Sequence, residues 1–165
     1  MKKSLMIVLA LVLSLAAVAM GSTVLTVSGV IALRDEEGVC AFTLDELKAL
    51  PATGYTVTDP WLGSRNYYGV AISDLLAYVG VPAHAKDVVL VCSDGKEFTV
   101  SYAHVLEYPI ILTYGTVSGE SVRALPASQG GPVKLVYPLH EYPEILDIYP
   151  ADNWAWFVVG VRVEM

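Results

Sequence analysis

Residues 87–100 read DVVLVCSDGKEFTV. Two β-rich runs flank Asp94-Gly95, a pair that suits a tight primed turn, so the stretch is expected to form an antiparallel hairpin. No other stretch restricts the fold as much. A sheet that contains a hairpin is not purely parallel, and the short helices around it lack the regular spacing of βαβ units. The expected fold class is α+β, with mixed β-sheets and short helices.

The flanking segments fit this class. Val24 to Leu33 alternates loosely and reads as a strand, and Asp35-Glu36-Glu37-Gly38 reads as a turn. CAFTLDELKALP predicts a helix from Thr43: Thr43 and Glu46 have capping-box spacing, Leu44, Leu47 and Leu50 share a face, and Pro51 ends it. VAISDLLAYVGVP predicts a second helix, entered near Ser73 and stopped by Gly80 and Pro82. Ser101 is expected to cap one helical turn through His104. PIILTYGTV and VKLVYP read as strands around the loop ALPASQGGP. Residues 139–153 read as irregular, and WAWFVVGVRVE as a long closing strand.

The N-terminal end has a different character. Lys2 and Lys3 precede the aliphatic run Leu5–Leu15, and Ala17-Val18-Ala19 places small residues at a cleavage spacing. This reads as a signal peptide over residues 1–19, with one domain over residues 20–165. Export to the periplasm or the extracellular space is expected, with an uncleaved N-terminal membrane anchor as the alternative. The mean hydropathy of +0.54 is raised by the leader and does not indicate membrane embedding. Without Lys2 and Lys3, 8 basic residues stand against 17 acidic ones, with no basic cluster. Nucleic acid is therefore excluded as a partner, since phosphate binding needs basic groups. Cys40 and Cys92 are too far apart in sequence for a metal motif, and a disulfide and two buried thiols remain equal alternatives.

Residues 56–63, TVTDPWLG, end a β-type run in a carboxylate and a proline and then place an indole in a glycine-containing loop. Pro60 fixes its own φ and biases Asp59 toward an extended conformation, so the carboxylate can be aimed. A lone Asp before Pro is first of all a turn former. His84, His104 and His140 are scattered and read as surface or hydrogen-bonded histidines. Trp61, Tyr67, Tyr68, Tyr137, Tyr142, Tyr149, Trp154 and Trp156 lie in or beside loops. They read either as packing or as the walls of a pocket for a flat heterocycle.

The order FTLDELKALP, YYGVAISDLLAYVGV, VVLVCSDGKEFTVSYAHV, PIILTYGTVSGESV, GGPVKLVYP and a Trp-containing last strand resembles the molybdopterin-binding oxidoreductase domain of the sulfite oxidase type. GVAISDLLAYVGV and GGPVKLVYP carry most of the likeness. The resemblance implies that the strand after the FTLDEL helix delivers a cysteine thiolate to molybdenum. Here that strand holds Thr58 or Asp59, and Cys92 lies in a different strand. No catalytic residue and no metal ligand are assigned.

The expected function is a secreted, non-catalytic binding protein for a pterin-like flat heterocycle, serving a membrane receptor or sensor. A pterin-type ligand is expected ahead of molybdopterin itself. Asp59 would accept hydrogen bonds from the ligand and Trp61 would stack on it, with Asp94, Tyr114 and Trp154 as further ligand-binding candidates. The alternatives are a molybdenum-cofactor-dependent oxidoreductase and a structural or protein-interaction domain.

Overall fold

The computed structural model describes residues 21–165, so the leader read over residues 1–19 lies outside the described residues. The elements follow in chain order. β1 (Thr23–Gly29) and β2 (Val39–Thr43) precede α1 (Leu44–Ala49). β3 (Ala52–Asp59) and β4 (Gly63–Ala71) precede α2 (Ile72–Val79). β5 (Asp87–Cys92) and β6 (Glu97–Ser101) precede α3 (Tyr102–Glu107). β7 (Ile111–Ser118), β8 (Ser121–Ala124), β9 (Lys134–Val136), α4 (Ile145–Ile148) and β10 (Val158–Glu164) complete the chain.

These strands form two sheets. The first has the order β2-β1-β10-β5-β6, and β1 and β10 are its parallel pair. The second has the order β3-β4-β7-β8, and β9 also pairs with β7. One continuous apolar cluster draws Leu25, Val27, Leu90 and Val161 from the first sheet and Val57, Val70, Leu112 and Leu135 from the second. Leu47 of α1, Leu75 and Leu76 of α2 and Val105 of α3 join it, each fully or almost fully buried. Burial of a Leu side chain stabilises the fold by about 2 kcal/mol, so this shared cluster holds the short helices, which would not persist alone.

Local signals explain several element ends. The Thr43 side chain accepts a hydrogen bond from the Glu46 N–H, while the Glu46 carboxylate accepts one from the Thr43 N–H at 2.7 Å. That is the reciprocal capping box the spacing predicts. Gly80 ends α2 in the left-handed region at φ 72°, where a Cβ would be disfavoured.

Elsewhere the structure corrects the sequence reading. α2 starts one residue earlier than expected, after Ala71, which has no side-chain cap; its Ile72 N–H is instead satisfied by the Ile110 carbonyl at 2.9 Å. α3 runs on to Glu107, and the Ser101 side chain makes no cap bond. The β5–β6 turn is not primed: among its residues only Gly95 has positive φ (84°), and the Gly95 N–H donates to the Cys92 carbonyl at 2.9 Å. This is a three-residue loop with glycine at the left-handed position. The closing strand begins only at Val158, because Trp154–Phe157 form a separate connection. Cys40 and Cys92 are both free thiols. β1 and β10 lie between their strands, which puts them at least about 14 Å apart at ordinary strand spacing, too far for a disulfide.

Candidate functional site

β3 and β4 pair down to Asp59 and Gly63, leaving Pro60, Trp61 and Leu62 as the hairpin loop. The Asp59 side chain folds over this loop: its Oδ1 accepts the Trp61 N–H at 2.9 Å and the Leu62 N–H at 3.1 Å. Its Oδ2 accepts the Tyr67 hydroxyl at 2.6 Å and the Lys134 ammonium at 2.5 Å. Four donors fill the four acceptor positions that a carboxylate offers. Both charged side chains, Asp59 and Lys134, are completely buried. Burial acts to raise the Asp59 carboxyl, but the bonds from Lys134, Tyr67 and Trp61 outweigh it and hold the group below its ordinary value. Burial draws the Lys134 ammonium below its ordinary value, with Asp59 opposing. Burial, reinforced by Asp59, pushes the Tyr67 phenol far above its usual range, so it stays a neutral donor.

Lys134 reaches this position because β9 pairs with β7 at Thr113↔Lys134, while β4 pairs with the other side of β7. Its ammonium also lies over the Trp156 ring, 4.3 Å from the centroid, and 5.6 Å from that of Trp154. The connection carrying these tryptophans is tied down at both ends. The Leu135 N–H donates to the Ala155 carbonyl and the Val158 N–H to the Val133 carbonyl, each at 2.9 Å. Between them Phe157 has φ 55°, a left-handed conformation that is costly for a residue with a side chain. Its N–H donates to the Gly130 carbonyl, and its carbonyl accepts the Ser93 N–H of the β5–β6 loop.

Three loops therefore converge on one cleft of about 380 Å³. Trp61, Phe98, Trp154, Trp156 and Phe157 supply its aromatic lining, and Asp94, Lys96, Asp152 and Cys92 its polar groups. Asp94 and Lys96 pair at 3.5 Å on its exposed edge. Cys92 is buried, and desolvation together with Asp94 pushes its thiol up to about 11, with Lys96 opposing. It is therefore a neutral thiol at physiological pH.

Of the residues singled out by sequence, Trp61, Asp94 and Trp154 come together on this cleft. Trp61 is 59% exposed, so its ring is free to meet another molecule. Asp59 does not reach the cleft as an acceptor: it is 1% exposed and saturated by its own loop and by Lys134. Its expected role as ligand acceptor is corrected to that of a buried strut. Tyr114 is a core residue of β7, 3% exposed, with its ring edge-on to Tyr68. Trp156, one of the loop aromatics read as a possible pocket wall, also lines the cleft, whereas sequence reasoning missed Lys134, Phe157, Phe98, Asp152 and the placement of Cys92. A lysine inside the apolar run VKLVY was the available signal for the first, since an ammonium in such a run needs a partner. The histidines stand apart, His104 hydrogen-bonded to Tyr149 at 2.7 Å and His140 against the Tyr55 ring at a tilt of 31°.

One mixed and one antiparallel sheet linked by short helices, with an aromatic cleft at the loop ends, make an α+β domain of the molybdopterin-oxidoreductase type. Residues 24–142 match the oxidoreductase molybdopterin binding domain family, and the chain belongs to that family. Among solved structures it is similar to the sulfane dehydrogenase SoxCD from Paracoccus pantotrophus, with a TM-score of 0.65 at 18% identity. That likeness covers 85% of this chain but 37% of the SoxCD chain. No curated protein matches.

The family implies a molybdopterin cofactor, and the residues at the expected metal position do not suit it. A molybdenum–thiolate bond needs a soft sulfur donor. Thr58 is exposed, while the Asp59 carboxylate is sealed against an ammonium that already neutralises it. A pterin phosphate tail needs cationic partners, and the cleft lining offers one ammonium against two carboxylates.

Proposed function

We propose that this chain is a non-catalytic binding protein that keeps the family's fold and uses its cleft for a flat, pterin-like heterocycle. The observation that carries this reading is the cleft itself. Trp61 from the β3–β4 loop, Phe98 from β6 and Trp154, Trp156 and Phe157 from the connection before β10 line a volume that suits a bicyclic ring, and the exposed Trp61 stands at its edge. Burial of the Asp59 carboxylate and its pairing with Lys134 argue against turnover at the family's metal position. Trp61 stacks on the ring, and Asp94 or Asp152 accepts from its N–H edge. Export by the leader places the protein outside the cytoplasm, where a membrane receptor or sensor would read the ligand-bound state.

Titration calorimetry with oxidised and reduced pterins tests the reading. Trp61→Ala is expected to weaken binding about tenfold through loss of a stacking face worth about 1 kcal/mol or more, with the melting temperature unchanged. If pterins are ignored by the intact protein, the ligand assignment fails. Molybdenum retained stoichiometrically after expression in a cofactor-competent host would favour the oxidoreductase alternative.

A further inference from the structure

The charge around the cleft narrows the ligand further. Its aromatic faces carry negative electrostatic potential, which attracts cations lying over them. The rings already do this inside the protein, where Lys134 rests 4.3 Å from the centroid of Trp156. At the cleft mouth Asp94 and Asp152 are both exposed and outnumber Lys96, which Asp94 pairs at 3.5 Å. Asp152 has no ion-pair partner among the described residues within salt-bridge distance and remains free to meet a positive charge. The wider field has the same sign, since 17 acidic side chains face 8 basic ones over residues 21–165. A ring with delocalised positive charge gains from the indole faces and from the carboxylates together. An anionic ring meets repulsion from both.

Resting on the reading of this cleft as the binding site, we propose that its ligand is a flat organic cation, a heteroaromatic ring alkylated or protonated on nitrogen. Trp61 and Trp156 provide the faces, and Asp94 and Asp152 the counter-charge. Lys96 screens Asp94 and leaves Asp152 as the stronger electrostatic contact. Molybdopterin, with its anionic tail, lies at the disfavoured end of this selection.

N-methylquinolinium and quinoline share a bicyclic ring and differ in one methyl group and one charge, so they serve as probes for calorimetry near neutral pH on the exported protein. The cation is expected to bind about tenfold more tightly than the neutral ring. In the Asp94→Asn/Asp152→Asn variant that preference should fall to within about twofold to threefold, with quinoline affinity unchanged. Equal binding of both probes, weakened for both by Trp61→Ala, would overturn the charge selection and leave the cleft reading standing. A preference for the cation that survives the double variant would overturn the role of the carboxylates. Failure of both probes to bind, or binding indifferent to Trp61→Ala, would overturn the cleft reading and this inference with it.

Discussion

Replacing Lys134 by methionine removes the ammonium and keeps most of the side-chain volume. The Asp59 carboxylate then stays buried with three donors in place of four: the Tyr67 hydroxyl and the Trp61 and Leu62 N–H groups. Breaking a buried ion pair from one side costs about 3–5 kcal/mol. The three surviving hydrogen bonds place Lys134→Met at the lower end, near ~3 kcal/mol, a large share of a domain's total stability. The pH dependence follows from the Asp59 shift. In the native protein its carboxyl is held below the ordinary value of 3.8, so its contribution is complete above that value and is lost as pH falls through the folded value. Without Lys134 the opposing effect of burial dominates, the folded value rises above the unfolded one, and the penalty shrinks as pH falls from 7 toward 4. Urea unfolding of both proteins at pH 7 and pH 5 measures this. A companion Asp59→Leu/Lys134→Met variant should recover most of the loss, because no unpaired charge remains. A cost below about 1 kcal/mol for the single variant, or a double variant no better than the single one, would refute the account of the pair as a strut.

Thr43→Ala removes the reciprocal cap of α1 and should cost about 1 kcal/mol, read as a lowered urea midpoint with an unchanged slope. The Cys92 thiol, pushed up to about 11, should react with an aromatic disulfide reagent at a rate that rises about tenfold per pH unit from 7 to 10. A plateau below pH 9 would contradict its placement. Mass spectrometry of exported protein should find the mature chain beginning near residue 20, whereas an intact Met1 on a membrane-bound species would support the anchor.

The parts of the molecule that were legible in sequence depend on neighbours in the chain. The α1 cap involves residues three apart, Thr43 and Glu46, and the stop of α2 requires only a residue that tolerates φ 72° at Gly80. Asp59 was half legible. The turn that it closes lies within three residues and follows from Asp-Pro chemistry. Its second oxygen, however, is spoken for by Lys134, 75 residues away, and only the β4–β7–β9 arrangement of the second sheet brings the two together. The cleft was legible in the same partial way. Trp61, Asp94 and Trp154 stood out as loop-edge residues, but their convergence depends on the connection that Phe157 bends at positive φ, an unusual conformation that no local pattern announces.

The order of the first sheet has a consequence for how the chain is made. β1, near the start of the described residues, takes β10, the last strand, as its parallel neighbour, and β10 also bridges to β5. Until Val158–Glu164 has been synthesised, β1–β2 and β5–β6 are two separate ribbons with open inner edges. Leu25, Val27, Val88 and Leu90 then lack the strand that joins their ribbons. The first sheet therefore cannot close as the chain emerges, and its closure waits for the seven residues of β10. The second sheet carries no such requirement, since β3, β4, β7, β8 and β9 all precede β10 in the chain, so the two halves of the core close at different stages.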